Sequence, residues 1–461
     1  MNNRFLSYLE DISGRINKSI ENKENFLIIS SLNPDGISSL ILLSNYLYKK
    51  NVEMHLTYLD YIKKNNVKDL LIGENSYEYD NIIFLDNGSL FSDEIIKINK
   101  DIRKKIYIID HHFISSKDLE LNNVVNINPN LFNIDGYKEI STSNIIYYLA
   151  KMIYPHAKDL LYLSLVGNIY DFLNINNEIL KELEDEDIIS KVSGINLPGI
   201  FTKPLYKSLS SSFNFFIPDI TGSDEKAMNL LKELSINNKG IANIVYTDLS
   251  DDDLKKLVSN IIKIKIRKNL QRTEDIIGEI YKINKNGEIG DILELLYDIE
   301  GLIENNKREG ILYFLKKYPV DVIKESESYL RNNFSKLLYD IIEGKVEIKD
   351  ENGLKIINIE KNYGNGYYLS LLINLLIKEK IIDGKVFLLL YKINDNLYRG
   401  LIKTNREENK KIINNIIKKL FDNNLIYYST FDNFGGFLLE KNNYEEFIKN
   451  LKISLRQENF I

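Results

Sequence analysis

The sequence predicts an α/β protein organised around a mainly parallel sheet, followed by a helical middle region and a smaller α/β unit at the C-terminus. Three observations carry that prediction. Short apolar runs alternate with amphipathic stretches from Asn25 to about Asp171, helical periodicity dominates the centre, and strand-like runs return after Gly344. A chain of 461 residues is too long for one ordinary core, and the composition shifts place the expected boundaries at 1–190, 191–343 and 344–461.

In the first region FLIIS (26–30), EMHLTYL (53–59), NIIFLD (81–86) and KIYIID (105–110) are rich in Ile, Phe and Tyr and bounded by Asn, Asp or Gly, so each reads as a buried strand. Between the first two, a turn at Asn33-Pro34-Asp35-Gly36 leads into the helical spacing of 38–51. This is βαβ logic, and such sheets bind ligands at the carboxyl ends of their strands. A further apolar helix covers 141–154, and the acidic run at 181–190 reads as a solvated helix. Pro- and Gly-bearing clusters at 195–204 and 216–227 frame the middle region, where 216–257 reads as an Asp-capped helix pair with loops. Near the end, KVFLLLYKI (385–393) and LYRGLIKT (397–404) predict strands alternating with a Lys-rich helix.

Composition removes several function classes. Sixty Lys and Arg against 66 Asp and Glu give a net charge of -6, which argues against a protein that coats nucleic acid, so any strand-binding groove is local. Cysteine is absent, which excludes disulfides, thiolate metal sites and cysteine nucleophiles and leaves metal chemistry to carboxylates and four His. The first 26 residues lack an apolar signal-like stretch, no run is long enough to span a bilayer, and a cytoplasmic protein with no membrane partner is expected. The Lys and Arg of 261–272 offer a candidate helix for a phosphate backbone, although such runs are usually solvated faces.

The chemistry-bearing residues lie at segment ends. Asp35 follows the first strand, Asp86 the third, Asp110-His111-His112 the fourth, and Asp171 closes an apolar helix. An aspartate after a strand is most often a turn residue or cap. A His pair at the ligand-binding edge of an open sheet is more specific, and three carboxylates with one imidazole suit a Mn-like divalent ion.

The ordered set NPDG, FLDNGS, IIDHH and GNIYD resembles the DHH phosphoesterase family, which includes RecJ exonucleases, oligonucleotide phosphatases and manganese pyrophosphatases. The resemblance implies that Asp35, Asp86, His111 and Asp171 ligate one metal ion. It makes Asp110 a support for the His pair and turns His112 toward a scissile phosphate, the two catalytic positions if the protein is active. One Mn2+ ion is implied, with Mg2+ as the alternative. The first motif departs from the pattern, because Ser31 and Asn33 stand where archaeal members commonly carry His and Asp for a second ion.

The likeness continues through 216–257, which resembles the middle region of archaeal GINS-associated nucleases. It reaches a C-terminal segment similar to the family's substrate-binding DHHA1 domain, where Gly435 and Gly436 match the strand-gripping Gly-Gly pair and Phe437 replaces its His. Two adjacent glycines are by themselves more often a turn or bulge. In 275–302 the likeness holds up to DILELLYD, and DIEGL then replaces an Asn- and Arg-bearing stretch. Joint loss at these three places resembles the inactive RecJ relatives that serve replicative helicase complexes. The resemblance therefore implies an archaeal partner of the GINS complex, and through it of the replicative helicase, with impaired or absent nuclease activity. The alternative is a manganese-dependent single-strand exonuclease or oligonucleotide phosphatase acting on single-stranded nucleic acid with one ion.

Overall fold

Apolar runs that end in Asn, Asp or Gly become the strands of a first sheet. The computed structural model describes residues 2–460 except 64–65, 74–75, 77, 157, 159, 237–239, 271, 285–289, 308–319, 406–408 and 430–434. In the first region β1 (Phe26–Ser31), β2 (Met54–Leu59), β3 (Tyr61–Ile62), β4 (Asn81–Leu85), β5 (Lys105–Ile109), β6 (Glu120–Leu121) and β7 (Val124–Ile127) alternate with helices. These are α1 (Asn3–Glu21), α2 (Pro34–Lys49), α3 (Val67–Ile72), α4 (Ser92–Ile102), α5 (Thr142–Ile153), α6 (Ser164–Tyr170) and α7 (Asn177–Asp185). The sheet order is β2-β1-β4-β5-β7-β6, and every pairing is parallel except that of β6 with β7.

Period-two alternation sorts each strand between two cores. Phe26, Ile28, Ile83 and Ile109 face the core built with α1, α2, α5 and α6, while Leu27, Ile29, Ile82 and Ile108 face the one built with α3 and α4. β2 departs from expectation. It is an edge strand whose residues are half-buried or exposed, because β1 covers only one side of it.

The middle region contains an antiparallel ribbon of β8 (Ile189–Ile195) with β9 (Ile277–Ile283), and helices α8 (Leu205–Ser210), α9 (Asp224–Glu233), α10 (Asp251–Arg267), α11 (Ile292–Glu304) and α12 (Val320–Ile342). The helix pair at 216–257 exists, but its caps are serines. Ser223 caps α9 and Ser250 caps α10, and the aspartates fill the first turns, where they complement the helix dipole.

The C-terminal block carries β10 (Glu347–Glu351), β11 (Leu354–Ile359), β12 (Val386–Asn394), β13 (Leu397–Thr404), β14 (Tyr427–Ser429) and β15 (Gly436–Glu440), with α13 (Leu369–Lys378), α14 (Lys410–Asp422) and α15 (Tyr444–Gln457). Its sheet runs β10-β11-β12-β13-β15-β14-β3, so a two-residue strand from the first region completes it. Asp60, just before β3, reinforces that junction. Arg399 donates to Asp60 Oδ1 at 3.1 Å, the Tyr367 hydroxyl donates to Asp60 Oδ2 at 2.8 Å, and the Arg399 guanidinium lies 3.9 Å over the Tyr367 ring. Both cores of the first region continue into this block, one through Ile357 and Leu389 and the other through Leu354, Leu388 and Ile417.

The basic run at 261–272 is not an open nucleic-acid face throughout. Lys265 is fully buried and donates to Glu379 Oε1 at 2.6 Å and to the Phe216 carbonyl at 3.2 Å, while Phe216 N–H donates to the same carboxylate at 2.9 Å. The pair ties α10 to the end of α13, and truncating one member strands the other charge. Lys265→Met is expected to destabilise the chain by about 3–5 kcal/mol in urea unfolding, and Lys265→Met with Glu379→Leu to recover most of that loss.

Candidate metal centre

The first strand ends at Ser31, and Asn33 then caps α2 by accepting the Gly36 N–H at 2.9 Å, with Pro34 at the first helical position. The expected turn at 33–36 is therefore the first turn of the helix. Asp35 sits inside it and is fully buried. Asp86 follows β4 with φ +59°, a left-handed conformation that Asp tolerates better than most residues. His111 and His112 follow β5, and Asp171 caps the C-terminus of α6.

These residues converge. His111 Nε2 lies 3.3 Å from Asp171 Oδ2, 3.6 Å from Asp35 Oδ2 and 3.6 Å from Asp86 Oδ1. Among the described residues two groups could hold a metal ion, Asp35-His111-Asp171 and Asp86-His111-His112, with His111 common to both. The imidazole is aimed from behind: its Nδ1–H donates to the Gly136 carbonyl at 2.6 Å, which leaves Nε2 toward the carboxylates. His112 turns the other way, with its Nδ1–H donating to Asp110 Oδ1 at 2.7 Å. Asp110 thus stands behind His112, while His111 is held by a backbone carbonyl.

Sequence reasoning missed two glycines that make this approach feasible. A Cβ on Gly167 would lie 1.9 Å from Asp35 Oδ1, and one on Gly136 would lie 1.9 Å from the His111 carbonyl oxygen. Gly167 opens the GNIYD motif and Gly136 lies outside the motifs, and only their crowding in three dimensions reveals the requirement.

The carboxylates are unequal. Asp35 accepts the Thr142 and Ser143 N–H groups at the start of α5, at 2.8 and 2.9 Å. Asp86 accepts from three side chains: the Ser31 hydroxyl at 2.6 Å and the Asn33 amide at 2.9 Å reach Oδ2, and the Thr142 hydroxyl at 3.0 Å reaches Oδ1. Ser31 and Asn33 accordingly spend their donors on the carboxylate, and the Asn33 oxygen is engaged at the helix cap. Thr142 was not singled out in the sequence, where it reads as an ordinary helix start.

Burial pushes the Asp86 carboxyl well above its usual range, assisted by the Asp35 charge, and burial with the Asp171 charge pushes Asp35 up too. Burial acts on His111 in the opposite sense, but Asp171, Asp35 and Asp86 outweigh it and raise the imidazole to about 10. Burial would also raise Asp110, yet the His112 charge and hydrogen bond hold it at about 2. Buried acids crowded around one imidazole lack positive charge, and oxygen donors with an aimed imidazole nitrogen fit a hard divalent ion.

The remaining expected positions lie in the C-terminal sheet. Gly436 opens β15, and Gly435 accepts the Ile402 N–H at 3.0 Å. Phe437 is fully buried, faces Gly400 across the strand pair and packs on Phe447 at 5.0 Å between ring centroids, so hydrophobic packing occupies the position where the family resemblance expected a His.

With this geometry in hand, residues 25–168 match the DHH family, N-terminal domain, and 197–277 match the DHH-CID domain. The chain carries a DHH-family N-terminal domain followed by a DHH-CID domain. Part of the chain is also similar to an uncharacterized protein of Methanocaldococcus jannaschii, 32% identical over 265 residues, which is 56% of this chain and 58% of that protein's length. CDC45 from Entamoeba histolytica has a similar fold, with a TM-score of 0.65 at 13% identity over 98% of this chain and 99% of that one. RecJ from Thermus thermophilus, solved in complex with Mn2+, gives a TM-score of 0.53 at 9% identity over 97% of this chain and 55% of that one. At these identities the two structures show a shared fold. Among the described residues no helix is long and apolar enough to cross a membrane.

Two substitutions test the hydrogen-bonded frame of the DHH site. Asn33→Ala removes both the helix cap and a donor to the buried Asp86 carboxyl, and Thr142→Val removes another of its three donors. Each is expected to cost about 1–3 kcal/mol in denaturant unfolding of the metal-free protein, with Asn33→Ala the larger.

Proposed function

We propose that this is an archaeal RecJ-like DHH protein that works in DNA replication as a partner of the GINS complex, and through it of the replicative helicase, with nuclease activity impaired or absent. The observation that carries the reading is the capture of Asp86 Oδ2 by Ser31 and Asn33. That oxygen faces the side where a second ion would need ligands, and the two residues there present hydrogen-bond donors instead. The likeness of fold to CDC45 over almost the whole length of both chains supports a role in replication. The family resemblance supplies GINS as the partner, with the docking surface placed on the middle region near residues 216–260, outside the DHH sheet.

Asp35, Asp86 Oδ1, His111 Nε2 and Asp171 would together hold one Mn2+ ion, or Mg2+ in its place, in the pocket their side chains define. Such an ion supplies Lewis-acid polarisation and a water of lowered pKa. For their part, the protein groups fix the His111 tautomer through Gly136 and hold His112 against Asp110 with its Nε2 available toward a phosphate. One ion cannot brace both the attacking and the leaving oxygen of an in-line displacement, so little hydrolysis is expected. The second reading, a one-ion single-strand exonuclease or oligonucleotide phosphatase, is favoured by the full retention of that ligand set.

Calorimetry with Mn2+ should give one ion per chain, and Asp171→Asn should weaken binding by about a hundredfold or more. Because binding displaces the His111 proton, held up to about pH 10, and any proton on the raised Asp86 carboxyl, affinity should rise with pH through the neutral range, by about tenfold or more per pH unit. Purified GINS should bind at micromolar concentration, and its failure to do so removes the partner assignment. Wild type should leave a single-stranded oligonucleotide intact where Ser31→His with Asn33→Asp gains activity. Robust wild-type digestion that Asp171→Ala abolishes establishes the nuclease instead.

A further inference from the structure

We infer that Asn144 is a positioning residue for the metal centre: paired with Asn168, it sets α5 against α6 and so fixes the spacing of Asp171 from Asp35 and Asp86. What that spacing serves rests on the one-ion reading proposed above. Asp35, Asp86 and His111 stand at or just beyond the ends of paired strands, so the sheet itself spaces them. Asp171 is different. It closes α6, a helix of seven residues, and so short a helix has too few internal bonds to hold its own direction. Its placement comes from its neighbours.

Asn144 supplies that placement from the first turn of α5. Its Nδ2 donates to the Ser164 carbonyl at 2.6 Å and to Asn168 Oδ1 at 2.8 Å, so both amide hydrogens go to α6. Ser143 Oγ donates to the same Ser164 carbonyl at 3.1 Å. On its own helix Asn144 Oδ1 accepts the Ser141 N–H at 3.4 Å, and the Asn144 N–H donates to Ser141 Oγ at 3.3 Å, which closes a capping box. Between the two lie Thr142 and Ser143, whose N–H groups bind Asp35, and the Thr142 hydroxyl binds Asp86. One side chain therefore secures both the turn that holds two carboxylates and the helix that ends in the third.

The network extends past Asp171. Asn168 Nδ2 donates to the Asn174 carbonyl at 2.9 Å, and the Asn174 N–H donates to the Lys138 carbonyl at 3.2 Å, in the segment whose Gly136 carbonyl orients His111. Ser141, Ser143, Asn144, Ser164 and Asn168 are all fully buried. An unpaired amide in such surroundings costs free energy, so the satisfied arrangement holds α5 and α6 in one relation. Gly167 lets them close to it, since a Cβ there would meet Asp35 Oδ1 at 1.9 Å and Ser143 Oγ at 2.6 Å.

The test compares the full-length chain with Asn144→Ala, Asn168→Ala and Thr221→Val. The last removes a buried hydroxyl bonded to Ser212 and to the Ile217 N–H in the middle region, and controls for lost stability. Calorimetry with Mn2+ reads affinity, and the visible absorption of the Co2+-loaded chain reads coordination geometry. Asn144→Ala should weaken Mn2+ binding about tenfold or more and alter the Co2+ bands, Asn168→Ala should do so more mildly, and Thr221→Val should leave both unchanged. Hydrogen exchange of the metal-free chain, followed by peptide mass spectrometry, reads the coupling itself. Asn168→Ala on α6 should speed exchange of the α5 segment 142–146 by about tenfold. Mn2+ binding by both Asn variants within about twofold of wild type overturns the positioning role. Exchange at 142–146 unchanged by Asn168→Ala overturns the coupling. That arm contains no metal, so it decides the matter even where wild type binds no Mn2+, a result that counts against the one-ion reading alone. Should Asn144→Ala fail to fold, Asn168→Ala carries both arms, because it leaves the capping box of α5 in place.

Discussion

The placement of a single buried carboxylate constrains the site more than any other feature. Asp86 is fully buried in a left-handed turn at the end of β4, within reach of Asp35, His111 and Asp110, and Ser31, Asn33 and Thr142 donate to its carboxyl group. Those donors come from the end of β1, the cap of α2 and the start of α5, so satisfying one anion brings three segments of the DHH domain together. On the proposed reading, Ser31 and Asn33 meet Asp86 Oδ2 as hydrogen-bond donors where a second ion would need ligands.

The electrostatic arrangement explains why such a cluster can persist. Asp35, Asp86 and Asp171 surround one imidazole, which takes up a proton in response, and a divalent ion would supply the charge that the proton supplies incompletely. Stability in the DHH domain is given up locally for ligand capacity and recovered in the two apolar cores on either face of the sheet. Both cores extend into the C-terminal block, so the two regions share their apolar packing.

Much of this was legible in the sequence. Period-two apolar runs ending in Asn or Asp located β1, β4 and β5, and the order Asp35, Asp86, His111, Asp171 located the cluster, since strand ends in a parallel sheet share one edge. What was not legible depended on long-range geometry. β3 has two residues and no pattern, and only its pairing with β14 makes it a strand. Thr142 and Gly167 look like ordinary helix residues until Asp86 and Asp35 approach them. Lys265 lies in a basic run that reads as solvated, and its burial depends on Glu379, more than a hundred residues away. β2 has the composition of a buried strand, but its burial is decided by the absence of a neighbour.

The central claim is that hydrogen bonding of Asp86 leaves room for one ion. Electron paramagnetic resonance of the chain titrated with Mn2+ tests it directly. The account predicts the hyperfine sextet of an isolated Mn2+ that saturates at one ion per chain and vanishes from the protein when Asp35 is changed to Asn. An exchange-coupled signal from paired ions, growing in as a second equivalent binds, would contradict it.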